Sequence, residues 1–137
     1  MKQPPDPGSN SINDADLTAD QREAAEAFRR WLASADHGVP FVLSGFAGSG
    51  KTFLSMRLLR MVEATGLCWT VVAPTHKAVG VLRQALALEG LQPTWYPSTI
   101  HRLLRLKLKR QGDRELCEST EQTAMALEHL GLVLIDE

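Results

Sequence analysis

The first sixteen residues carry no apolar rhythm; they hold three of the seven prolines together with Gly8, Ser9, Asn10 and several aspartates. Such a segment buries almost nothing, which predicts a flexible tail over residues 1–16. From Leu17 the pattern changes. Thr18-Ala19-Asp20-Gln21 fits a capping box, and Ala24, Ala25, Phe28, Trp31 and Leu32 follow at helical spacing. Gly38 and Pro40 set the expected stop of that helix before His37-Gly38-Val39-Pro40.

Three apolar runs come next, separated by helical stretches. Phe41-Val42-Leu43 ends in a glycine-rich loop and predicts a short buried strand. Thr52 to about Ala64 is helical, with Leu54, Leu58, Leu59 and Val62 on one face and Gly66 as its stop. Leu67 to Ala73 is the second run, broken by Pro74. Ala78 to about Glu89 returns to the 3.6-residue rhythm through Val79, Leu82 and Leu86, and Leu132-Val133-Leu134-Ile135 is the third run. Strands without polar alternation, joined by helices, indicate an α/β fold: a parallel sheet flanked by helices on both faces.

Leu104-Arg105-Leu106-Lys107-Leu108-Lys109 keeps a different beat, apolar and basic in turn. A period of two means strand rather than helix. Gln111-Gly112-Asp113 then signals a turn, and Glu115-Leu116-Cys117 returns. The expectation is a β-hairpin over about residues 104–118, exposed on the side carrying Arg105, Lys107 and Lys109. An amphipathic helix is the competing reading.

Composition changes little in this picture. The chain has 137 residues, 44% apolar and 23% charged, which suits one soluble globular domain and excludes wholesale disorder. No stretch approaches the ~18 apolar residues of a membrane span, and the amino terminus lacks the apolar core of a secretory signal. Two cysteines, Cys68 and Cys117, make neither a disulfide framework nor a metal-site spacing, so a cytoplasmic setting without a membrane partner is expected. Net charge is −1, so any affinity for nucleic acid must come from a local patch.

The sharpest chemical signal is Gly45-Phe46-Ala47-Gly48-Ser49-Gly50-Lys51-Thr52, a full G-x-x-x-x-G-K-[ST] phosphate loop. Gly45 and Gly50 permit backbone angles that let the amides from Gly45 through Ala47, Gly48 and Ser49 turn inward around phosphate oxygens. The loop opens a helix whose positive end faces the same anion. Lys51 then reaches the β- and γ-phosphates of ATP, and the Thr52 hydroxyl takes a Mg²⁺ position. The apolar strand ending in Asp136-Glu137 supplies the acids such a loop needs. Asp136 is expected to hold Mg²⁺ through water and Glu137 to orient or deprotonate the attacking water, making Lys51, Asp136 and Glu137 the expected catalytic set.

Five stretches together resemble superfamily 1 DNA helicases of the 5′-to-3′ class, RecD-like and especially phage Dda-like enzymes. They are Leu17-Thr18-Ala19-Asp20-Gln21, the phosphate loop (motif I), Ala73-Pro74-Thr75-His76-Lys77-Ala78 (motif Ia), Ser98-Thr99-Ile100-His101 (motif Ib) and Ile135-Asp136-Glu137 (motif II). They follow the family's order and spacing across residues 17–137. The resemblance implies a RecA-like motor domain that binds ATP at one edge and single-stranded DNA across its top, with Gln21 on the adenine. It implies backbone contacts to DNA from Pro74, Thr75, His76 and Lys77 and from Ser98, Thr99 and His101. It also makes the hairpin a 1B-like insertion whose Arg105, Lys107 and Lys109, with Arg110 and Arg114, meet phosphates.

Plainer readings stand beside several of these. Gln21 is also the glutamine of a capping box, and the two roles coexist. Ser98 or Thr99 is also a helix cap, His76 a satisfied loop histidine, and Lys77 a surface lysine. Trp95 and Tyr96 suit core packing better than base stacking, and the basic hairpin is equally a solvated face. The sequence stops at Glu137, directly after motif II. Relative to the resemblance this predicts a partial motor domain, partnered by a C-terminal helicase domain of the same gene product that brings arginines to the γ-phosphate. Weak Mg-nucleotide binding, little hydrolysis and no unwinding are expected of this chain alone. Another P-loop class, such as a nucleotide kinase or an AAA-type ATPase, and a non-catalytic nucleotide- or nucleic-acid-binding module are the alternatives.

Overall fold

A computed structural model describes residues 16–34 and 38–137. The expected tail therefore lies outside the described residues, Asp16 excepted. The chain divides into two compact units, Met1–Ala64 and Thr65–Glu137.

In the first unit, helix α1 spans Ala19–Ala33 and starts as its sequence requires. The Gln21 amide donates to the Thr18 hydroxyl at 3.2 Å, and the Thr18 amide donates to Gln21 Oε1 at 3.0 Å. Two first-turn donors are thus satisfied reciprocally, which is the capping box in full. Leu17, Ala25 and Phe28 are buried. Helix α2 spans Lys51–Thr65 and buries Leu54, Leu58, Leu59 and Val62, the face expected from their spacing, and Met56 beside it.

The expected strand at Phe41-Val42-Leu43 does not form. Residues 41–46 carry no strand, and Val42 is 76% exposed. Three apolar residues become a strand only when a neighbour takes their amides and carbonyls, and among the described residues none does. The apolar content is spent differently. Phe41 turns back onto α1, its ring centroid 5.2 Å from Phe28 and 5.9 Å from Trp31. The Trp31 indole donates to the Val39 carbonyl at 2.9 Å and holds the segment there.

The second unit is built on β1, Trp69–Ala73, in which every residue is buried. Strands β2 (Ser98–Thr99) and β5 (Leu132–Ile135) pair with it on either side, both parallel, in the order β2-β1-β5. Helix α3, His76–Leu88, crosses from β1 to β2 and buries Val79, Leu82 and Leu86. The parallel sheet flanked by helices matches the expected α/β class, but its third strand is β2 and not Phe41–Leu43. Two residues without an apolar run give no strand signal. What fixes β2 is the loop before it: the Thr94 amide donates to the Trp69 carbonyl at 2.9 Å, and the Thr70 hydroxyl to the Trp95 carbonyl at 2.9 Å.

The hairpin forms between β3, Lys107–Gln111, and β4, Arg114–Glu118, with Lys107 opposite Glu118 and Gln111 opposite Arg114. It starts later than the alternating pattern suggests. Helix α4, Ile100–Leu103, ends directly before that run, so Leu104 serves as its cap residue and Arg105 turns the chain at φ 52° before the strand begins. Both carbonyls at this turn are held from α5, Glu121–Glu128, and its cap: Thr123 donates to Leu104 and Thr120 to Arg105. Arg105 therefore stands at the root of the hairpin and not on its face. The single exposed side is also corrected, since both faces are exposed, Leu108 and Leu116 included. Lys109 pairs with Glu118 at 3.3 Å and Arg110 with Glu115 at 3.4 Å, so the strip is less basic than its arginines and lysines suggest. No helix among the described residues is long and apolar enough to cross a membrane.

Candidate nucleotide and nucleic-acid sites

The phosphate loop, Gly45–Thr52, runs straight into the first turn of α2. Gly48 and Gly50 adopt φ of 76° and 83°, the left-handed region the loop needs. Gly45 is required for a different reason: a Cβ there would come within 2.8 Å of the Ser49 Oγ. The Ser49 amide turns back to the Phe46 carbonyl at 3.1 Å, while the amides of Lys51 and Thr52 have no main-chain acceptor among the described residues. First-turn amides left in this way are a preformed anion seat. Lys51 donates its ammonium to the Gly45 carbonyl, which folds the cation over the same loop. The positive-φ glycines, the first-turn amides of Lys51 and Thr52 and the Lys51 ammonium make a cradle that suits a bound polyphosphate, although the Ser49 amide, expected to turn inward, is taken by the Phe46 carbonyl.

Gln21 joins this loop. Its Oε1 is committed to the Thr18 amide, and its Nε2 lies 2.7 Å from where a Cβ on Gly50 would stand. The capping residue and the phosphate loop thus touch within one unit.

The remaining expected residues gather at one edge of the second unit. Val72 is level with Ile135 on β5 and with Ser98 on β2, so the three parallel strands end together. Pro74, Thr75, His76 and Lys77 leave β1 there, all exposed. Ser98, Thr99 and His101 leave β2, and Asp136 and Glu137 leave β5. The Asp136 amide donates to the Val72 carbonyl at 3.0 Å, extending the ladder by one residue and fixing that backbone at the edge. Ligands of open α/β sheets bind at this carboxyl edge.

Two of these side chains have structural work. The Thr75 hydroxyl accepts from the Ala78 amide at 3.2 Å and caps α3. Thr99 is only 8% exposed, and its hydroxyl accepts from the Arg102 amide to cap α4. Lys107 and Lys109 are exposed on β3, in the separate two-stranded sheet.

A groove of about 440 Å³ opens beside motifs Ia and Ib. His76, Arg83, Tyr96, Ser98, Arg102 and Arg105 line it. Arg83 and Arg102 were not singled out from the sequence. The signal was there in the helical spacing: Arg83 follows His76 and Val79 at i+7 and i+4 on α3, and Arg102 is the third residue after the Thr99 cap. The reading of Tyr96 as core is overturned, since it is 75% exposed; Trp95 beside it is half-buried.

The family model described as an AAA domain matches residues 29–137. No curated protein matches the chain. A match over that length, with the phosphate loop inside it, means that the chain belongs to the AAA-domain family and is a P-loop ATPase domain of the helicase-like kind.

Proposed function

We propose that this domain is the N-terminal motor domain of an ATP-driven 5′-to-3′ DNA helicase, RecD-like or Dda-like, that binds Mg-ATP and single-stranded DNA. The observation that supports the reading is the shared sheet edge of Pro74–Lys77, Ser98–His101 and Asp136-Glu137. Exposed hydroxyl, imidazole and ammonium groups at the carboxyl edge of a parallel sheet are suited to phosphate contacts.

In this reading the amides and glycines of Gly45–Thr52 take the triphosphate, and Lys51 leaves the Gly45 carbonyl for the β- and γ-phosphates. The Gln21 amide, placed at Gly50, meets the adenine side of the nucleotide. Thr52 and Asp136 are the protein's contacts to Mg²⁺, and Glu137 positions the attacking water. Held by Thr52 and Asp136, Mg²⁺ would supply positive charge against the transferred phosphoryl group. Pro74, Thr75, His76, Lys77, Ser98 and His101 contact the DNA backbone, which positions a strand without reading its sequence. Thr99 contributes by capping α4 rather than by direct contact. A second RecA-like domain completes the motor and supplies arginines at the γ-phosphate.

Calorimetry of the folded chain with Mg-ATP, and anisotropy titrations with a labelled oligothymidylate at several salt concentrations, test this directly. The expected result is affinity for both, with the DNA affinity falling steeply as salt rises. Nucleotide binding without any affinity for single strands would leave a P-loop ATPase and remove the helicase. Polarity is read in protein carrying both motor domains, as ATP-dependent displacement of streptavidin from the 3′ end of a strand and not from its 5′ end.

A further inference from the structure

The groove beside motifs Ia and Ib holds a feature that phosphate contacts alone do not require. Tyr96 stands 75% exposed beside this groove. The Arg83 guanidinium sits over one face of it, 4.2 Å from the ring centroid. Arg83 is fixed in that position by donating to the Pro97 carbonyl at 2.8 Å. The loop bearing the ring is equally fixed. The Trp69 amide donates to the Thr94 hydroxyl at 3.1 Å, and the buried Thr70 hydroxyl holds the Trp95 carbonyl. The ring is therefore presented from the central strand, with one face taken by a cation and the other open.

Charge points the same way. Arg83, Arg102, Arg105 and His76 line the groove, and no Asp or Glu does. Arg102 and Arg105 form no ion pair among the described residues. In a chain whose net charge is −1, this is the local basic patch that nucleic-acid binding demands. An aromatic platform beside a row of cations is how proteins hold single strands irrespective of sequence.

We infer that Tyr96, backed by Arg83, stacks one base of a single-stranded nucleic acid whose phosphates run along Arg102, Arg105 and His76. The inference deepens the proposed helicase reading and rests on it for the identity of the strand.

The test uses the full chain and two fluorescent oligonucleotides of equal length and charge, a twelve-residue thymidylate and its abasic counterpart. Tyr96→Ala should weaken the thymidylate by about tenfold, the loss of one stacked base, and leave the abasic strand unchanged. Tyr96→Trp should retain the affinity. Arg102→Ala should weaken both strands alike and flatten the salt dependence by about one charge. The side chain of Tyr96 is exposed, so its removal leaves the unfolding midpoint in place and the comparison clean.

Equal losses on both strands, or none on either, would overturn the platform while leaving the helicase reading intact. Failure of the unmodified chain to bind either strand overturns both. A free thymidine monophosphate that displaces the strand at a similar concentration would mark a mononucleotide pocket and overturn the claim of a strand.

Discussion

The side-chain nitrogen of Gln21 lies against Gly50: a methyl group on that glycine would come within 2.7 Å of it. The same carboxamide is held through its oxygen, because Oε1 accepts from the Thr18 amide in the capping box of α1. One residue thus links the start of α1 to the phosphate loop.

That relation separates two glycine substitutions. Gly48 and Gly50 have φ of 76° and 83°, so alanine at either is strained by about 1–2 kcal/mol. Only at Gly50 does the new methyl also meet a neighbour; at Gly48 it meets nothing within 4 Å. Gly50→Ala should cost more stability than Gly48→Ala in urea unfolding. Gln21→Ala should cost less in the Gly50→Ala background than in the unmodified chain, because there it relieves the contact as well as losing the capping bond. Equal losses for the two glycine variants would show that Gln21 does not press on the loop.

Lys51 and Asp136 should fail in distinguishable ways. Lys51→Ala removes a cation whose contact here is a loop carbonyl, so the fold is kept while nucleotide affinity falls by about tenfold or more. Asp136→Asn keeps the side-chain size and the amide bond to Val72. Its effect should appear only with Mg²⁺ present. Titration with a fluorescent ATP analogue in Mg²⁺ and in EDTA reads this: the asparagine variant should match the unmodified chain in EDTA and bind more weakly in Mg²⁺. A loss of the same size in EDTA would remove Asp136 from the metal.

Why some elements were legible and others not comes down to where their stabilisation lies. Helices α1, α2 and α3 carry their own apolar stripes, and α1 and α3 carry their own caps at Thr18 and Thr75, so local sequence specifies them. Strand β1 is buried at every position and reads as an unbroken apolar run. Strand β2 does not, because its two residues follow a loop that is anchored to β1 from a distance: the Trp69 amide donates to the Thr94 hydroxyl and the Thr70 hydroxyl to the Trp95 carbonyl. Phe41-Val42-Leu43 failed for the opposite reason: it has the composition of a strand and lacks a partner. At the site, the phosphate loop was legible because its chemistry is contiguous. The groove was not, since Arg83, Tyr96 and Arg102 come from α3, a loop and α4 and meet only in the fold.

The hairpin should be the softest element of the second unit. All ten residues of β3 and β4 are exposed, and a two-stranded ribbon with neither face covered is marginal in water. Its cross-strand pairs, Lys109 with Glu118 and Arg110 with Glu115, are solvent-exposed and contribute at most about 1 kcal/mol each. Lys109→Ala and Arg110→Ala should leave the unfolding midpoint nearly unchanged. Hydrogen exchange should be fast at amides of residues 107–118 and slow in Trp69–Ala73. Protection of the hairpin to the level of β1 would mean that something covers it.

Thr70 offers the sharpest test of how the fold presents the groove. It is 1% exposed on the central strand, and its hydroxyl donates to the Trp95 carbonyl at 2.9 Å. Thr70→Val preserves shape and suits a strand, but leaves that carbonyl without its donor. The expected cost is about 1–2 kcal/mol, read as a lower urea midpoint with an unchanged slope. Because Trp95 precedes Tyr96, the ring should also lose its fixed position over the groove. Thr70→Val should therefore weaken thymidylate binding more than abasic binding, in the same direction as Tyr96→Ala and by less. Thr70→Ser, which keeps the hydroxyl, should restore most of the binding difference even though it removes a buried methyl group. Binding by Thr70→Val identical to that of the unmodified chain, at a lower stability, would show that the ring is held by its stack on Arg83 alone.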